Sequence, residues 1–215
     1  MKKILWLFFG FVLTIGQNKV LLASSQADEN SDSNIRMCMS PVTPSRIYAL
    51  EERLVHAFHD VRQEVLKNRG QAQESRETLR LSFQQFRQNE EFAANYEEKT
   101  VKDHTFYLPR ALVNAVDTPQ KKRLREGKSF TSPVGKTACQ GHHVDQEDAD
   151  EENPALIWVL TRTNHQALSG ALHLPADVAG SSHISRSKFR TAKQALYKEV
   201  HHDLTNPAKK KMHKQ

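Results

Sequence analysis

Ile157, Trp158, Val159 and Leu160 follow one another in the segment ALIWVLT. A run this apolar and rich in β-branched and aromatic residues reads as a strand, and the rest of the chain must fold so as to cover it. Histidines frame it on both sides. SFTSPVGKTACQ reads as extended and leads into GHH, so His142 and His143 end one extended segment. The acidic loop VDQEDADEENP follows, then the apolar strand. RTNHQALSGALH then turns into a short helix ended by Pro175, with His165 near its start and His173 at its end. The order is strand, loop, strand, helix, with imidazoles at both ends of the hairpin.

The N-terminus speaks to compartment. MKKILWLFFGFVLTIG has a charged start at Lys2 and Lys3 and an apolar run from Ile4 to Gly16, the outline of a secretory signal peptide. A membrane span needs about 20 apolar residues, so no integral span is expected after cleavage; Lys19, atypical before a cleavage point, keeps an uncleaved anchor as the alternative. Residues 1–27 are read as the signal, cut after Ser25-Gln26-Ala27, with Ala23 or Ser24 as rival cleavage points. The double-lysine start points to a bacterial precursor exported to the periplasm or the extracellular space.

Between the leader and the histidines the pattern is helical. Residues 28–44 are polar and proline-marked and read as a linker. From Ser45 to about Lys67, residues Ile47, Leu50, Leu54, Phe58, Val61 and Val65 recur at three- and four-residue steps. NRGQ at 68–71 breaks this helix, and a second is expected from about Glu74 to Glu98. The two make an antiparallel hairpin over 45–99. His56 and His59 stand one turn apart on it and read as surface residues. In 100–138, TFYLPRALVNAV reads as a short strand then a short helix, and TPQKKRLREGKSF as a basic loop or turn. SRSKFRTAKQALYKEVHHDL is an amphipathic helix, and 206–215 form a basic tail. The expected class is α+β: a helical hairpin (45–99), then a small module with a basic C-terminal helix (100–205).

Charge is unevenly placed. Residues 25–154 carry 18 basic and 22 acidic side chains (net −4), whereas 155–215 carry 10 basic and 3 acidic (net +7). A basic C-terminal third suits a polyanionic partner such as nucleic acid or an anionic surface. Arg186, Arg190, Lys193 and Lys198 are the candidate phosphate contacts; a solvated basic face is the plainer alternative. Aromatic residues are 7% of the chain, which argues against a stacking platform for single strands. The two cysteines, Cys38 and Cys139, suit a disulfide in an exported protein. It would close a loop worth about 4–5 kcal/mol in the chain-entropy model. The rival reading makes Cys139 a zinc ligand, three residues before His142.

The layout around the histidines resembles the HNH, or ββα-metal, nucleases, over roughly residues 130–175. In that family a His-His or Asp-His pair ends the first strand, an asparagine pins the loop, and further histidines sit on the helix after the second strand. The resemblance makes His142 a metal ligand and His143 the general base. His165 and His173 become the helical ligands. Asn153 matches the loop asparagine, with Asn164 as an alternative register. His173 lies eight positions after His165, so a shared ion requires a longer or bent helix.

Such residues suit phosphodiester hydrolysis. A neutral imidazole serves as base near its reference pKa of about 6.5. A divalent ion held by the other imidazoles supplies positive charge for the developing oxyanion. Zinc or nickel suits histidine ligands better than magnesium, which prefers oxygen. Asp145, Glu147 and Asp148 could add carboxylates or orient an imidazole. The expectation is an exported HNH-like endonuclease acting on DNA or RNA with little sequence preference. The alternative is a secreted binding protein without catalysis, engaging an anionic partner or host surface, with a structural zinc.

Overall fold

The computed structural model describes residues 44–71, 73–132, 136–147, 153–174 and 184–206. The expected signal peptide and linker, residues 1–43 with Cys38, together with Asp148, Pro175 and the tail beyond 206, lie outside the described residues.

The helix read from residue 45 is α1 (Pro44–Asn68), and the next is α2 (Arg76–Phe86), capped by Ser75, whose side chain accepts the Thr78 amide. A second helix running to Glu98 is not what forms. Asn89 caps a new, short helix, α3 (Glu90–Asn95), and the chain becomes strand β1 (Tyr96–Val101) immediately after it. Only Tyr96 and Val101 of β1 are buried, which is why its charged interior carried no strand signal. Strand β2 (His104–Pro109) pairs antiparallel with β1 and runs directly into α4 (Arg110–Asn114), as expected. The basic loop expected at 118–130 also needs correction. Thr118–Arg125 is helix α5, with the Asp117 side chain accepting the Gln120 amide and Pro119 in its first turn. It buries Leu124 alone, so no apolar periodicity announced it.

The histidine-bearing segment folds as β3 (Gln140–His143), β4 (Ala155–Leu160), α6 (Arg162–Ala167) and α7 (Ser169–Leu172). α8 (Arg186–Thr205) follows. The sheet order is β1-β2-β4-β3, with β2 and β4 parallel and β3 antiparallel to β4 at one edge.

All six residues of β2 and of β4 are buried, because these central strands are covered on both faces. Alternate side chains of β4 serve two cores. Ile157 and Val159 join Phe106, Leu108, Leu112 and Leu124 under α4, α5 and α8, where Leu196, Tyr197 and Val200 cover them. Leu156, Trp158 and Leu160 join Leu54, Phe58, Leu79, Phe83 and Phe86 under α1 and α2. The result is α+β in three layers, and the helical hairpin and the hairpin β3–β4 share one core. Around Trp158 stand Phe58, Phe83, Phe86, Phe92 and Tyr96, with ring centroids 5.5–6.0 Å away. Phe92 and Tyr96 stack at 4.7 Å. No helix among the described residues is long and apolar enough to cross a membrane.

In protein prepared without residues 1–27, Trp158 is the sole tryptophan, so its emission reports on this cluster. Phe83→Ala is expected to cost about 3–5 kcal/mol of unfolding free energy and to red-shift that emission. Urea denaturation checks this, and a loss under about 1 kcal/mol would contradict a packed aromatic core at this face.

Candidate metal centre

Strand alternation sends His142 and His143 to opposite faces of β3. His142 lies opposite Trp158 and His143 opposite Ile157. Because β3 is the edge strand, both rings border one cleft that wraps around that edge. The cleft, about 260 Å³, is lined by Gly141, His142, His143, Gln146, His165, His173 and Ile184. The four histidines singled out in the sequence therefore meet. His165 comes from α6, and His173 caps the end of α7. The helix after β4 breaks at Leu168, and this bend lets histidines eight positions apart face the same point.

His142, His165 and His173 can together hold a metal ion: one ring nitrogen of each lies within 4.8 Å of the others. The ring centroids are 4.7–5.5 Å apart. Two nitrogens bound at about 2.1 Å can be at most about 4.2 Å apart, so small side-chain rotations bring the set onto one ion. Two further observations fit a metal. His142 is 1% exposed, yet its Nε2 has no hydrogen-bond partner, a costly state that an ion would relieve. His173 Nδ1 donates to the Ser169 carbonyl at 3.0 Å, which fixes the tautomer and leaves Nε2 its lone pair. Burial, then the neighbouring imidazole charges, hold His142 well below the usual histidine pKa. Burial, then His173, lower His165 as well. Both rings are thus neutral at physiological pH, the form that ligates.

The fourth histidine stands apart from the ligand set. His143 is 8% exposed and packs edge-on against Phe189 of α8, with centroids 4.6 Å apart. Gly141 makes this approach feasible. A Cβ there would meet Ile157 Cγ2 at 2.8 Å and Phe189 Cζ at 3.0 Å. Phe189 also carries the Lys193 ammonium 5.4 Å from its ring centre. Arg186, Arg190 and Lys198 are exposed along α8.

The remaining sequence candidates fall elsewhere. Asp145 is buried and pairs with Arg80 at 2.6 Å; burial raises its pKa and Arg80 opposes the rise. Arg80 also donates to the Pro154 carbonyl at 3.0 Å, so one guanidinium joins both ends of the acidic loop. Glu147 pairs with Arg76 at 3.1 Å. Asn153 is exposed just before β4. Cys139 is buried in the opposite core, outside the ligand set, and burial pushes its thiol up to about 12. Its expected partner, Cys38, lies outside the described residues.

Sequence reading missed the residues that hold the β4–α6 junction. Glu51 of α1, fully buried, accepts from the Thr161 backbone N–H at 2.9 Å and from the Thr161 hydroxyl. It also accepts from Asn164 Nδ2 at 2.9 Å. Asn164, the alternative loop asparagine, therefore ties α6 to α1. A signal existed: Glu51 and Arg62 each stand one turn after an apolar stripe residue, Ile47 and Phe58, where a charge is out of place.

No family model, no curated protein and no solved structure matches this chain.

Burial raises the Glu51 carboxyl from 4.5 to about 7, against the hydrogen bonds from Thr161 and Asn164, which favour the charged form. Folding thus favours the protonated acid. The stability it brings is complete below about pH 4.5 and is lost as pH rises through about 7. Glu51→Gln should remove a slope of about 3 kcal/mol over that window. Urea titrations of both proteins at several pH values test this, and parallel stability–pH curves would contradict it.

Proposed function

We propose that this chain is an exported, metal-dependent endonuclease of the HNH type that hydrolyses phosphodiester bonds of DNA or RNA with little sequence preference. The observation that carries the reading is the meeting of four histidines at one cleft on a β–β–α unit, three of them as a ligand set with a buried, unpartnered His142 Nε2. Three protein ligands leave a coordination position for water or substrate, the pattern of catalytic rather than structural zinc sites. An all-imidazole set favours zinc or nickel over magnesium.

His142, His165 and His173 would hold the ion. A bound ion would supply positive charge to the phosphoryl group and the leaving oxygen. His143, on the cleft wall but outside the ligand set, accepts the proton of the attacking water. Phe189 packs edge-on against the His143 ring, with centroids 4.6 Å apart, and covers one side of it. Arg186 and Arg190, within three residues of Phe189, and Lys193 over its ring would offer positive charge to phosphates of a flanking backbone, whereas Lys198 adjoins Glu199, which pairs with Lys99 of β1 at the far edge of the sheet.

One observation favours the alternative of a secreted binding protein with a structural metal: His143 is almost covered, as a packing residue would be. Cleavage assays with plasmid DNA separate the two. In the nuclease reading, chelation abolishes cleavage and zinc or nickel restores it. His143→Ala lowers the rate by about 10²- to 10⁴-fold with metal retained. His142→Ala loses both metal and activity. Undiminished cleavage by His143→Ala would remove His143 from its role, and a metal-loaded wild type without cleavage would favour the binding protein.

A further inference from the structure

Glu51 and Arg62 are the ionisable side chains buried on α1, at 0% and 2% exposure. They stand eleven positions apart, three helical turns and about 16 Å of rise, so they share one face. Each grips a different ligand-bearing helix. Glu51 binds Thr161, the residue before α6, and Asn164, the neighbour of His165. Arg62 donates one Nη to the carbonyl of Ala171 in α7, two residues before His173, and the other to the Glu74 carboxylate. Asn164 adds a second tie to α1 through the Tyr48 carbonyl at 2.9 Å.

Packing alone does not ask for these groups. Burying a guanidinium or a carboxylate is costly, and apolar side chains of similar size often serve stability as well or better. The helices they grip, by contrast, cannot orient themselves. α6 has six residues and α7 four, too short to be stable alone, and the chain bends between them at Leu168. Thr161 stands at the N-cap of α6, but its hydroxyl serves Glu51 and makes no cap bond. α1, with 25 residues, is the long rigid element against which both lie.

We propose that α1 works as a ruler for the metal centre: Glu51 and Arg62 are positioning residues that set the separation of His165 and His173, and so fix the affinity and geometry of the ion. The proposal rests on the reading of His142, His165 and His173 as a metal site.

Cobalt(II), whose visible absorption reports ligand geometry, is the probe. It is titrated into the full chain carrying Arg62→Met, Arg62→Lys, Thr161→Val or His142→Ala, and the metal-free stability of each is measured in urea with chelator. Arg62→Met and Thr161→Val should bind cobalt about 10- to 100-fold more weakly, with an altered spectrum. Arg62→Lys should recover part of the affinity. Thr161→Val, which keeps the side-chain shape, guards against an Arg62→Met protein that fails to fold. If folded Arg62→Met or Thr161→Val proteins bind cobalt with wild-type affinity and spectrum, the ruler is refuted while the metal site stands. If His142→Ala binds cobalt as wild type does, the metal site is refuted and the ruler with it.

Discussion

The constraint on which the structure depends is the two-sided burial of β4. With every side chain from Ala155 to Leu160 out of water, the strand needs a helical layer on each face. Trp158 draws α1, α2 and α3 to one side through the aromatic cluster, and Ile157 and Val159 draw α4, α5 and α8 to the other. Both layers then end at the same edge strand. α6 and α7 approach His142 from the α1 side, and Phe189 of α8 meets His143 from the opposite one. The cleft lies where two independently packed layers reach the edge of one sheet.

Electrostatics at that edge follow from the packing. The same burial that lowers His142 and His165 raises Glu51 and Cys139, since in each case it disfavours the charged form. The imidazoles are left as neutral donors and the thiol as an inert core group. Arg62 stands close enough to help depress His142, and it also anchors α7. A positive charge near histidines that could hold a cation is unfavourable, so its presence there asks for a reason, and its grip on Ala171 supplies one.

Much of this was legible in the sequence because it is local. The apolar run 155–160, the three- and four-residue steps of α1, the histidine spacings and the amphipathic pattern of α8 depend on neighbours along the chain. What escaped reading depends on distant partners. β1 is a strand because β2 pairs with it, although YEEKTV has a polar interior. α5 needs its Asp117 cap and a single buried leucine, too few apolar residues to set a period. The eight-residue histidine spacing asked for a longer or bent helix, but no proline marks Leu168 as the place where it bends. The roles of Glu51 and Arg62 exist through contacts more than 100 residues away in sequence, and nothing near them names Thr161 or Ala171.

The claim that three histidines from three elements form one metal centre is tested most directly by X-ray absorption at the zinc edge of zinc-loaded protein. The account predicts one tightly held ion per chain with three imidazole nitrogens at about 2.0–2.1 Å and a light oxygen scatterer completing the shell. A sulfur scatterer at about 2.3 Å, which would bring in Cys139, or zinc that washes away without an imidazole signature, would contradict it.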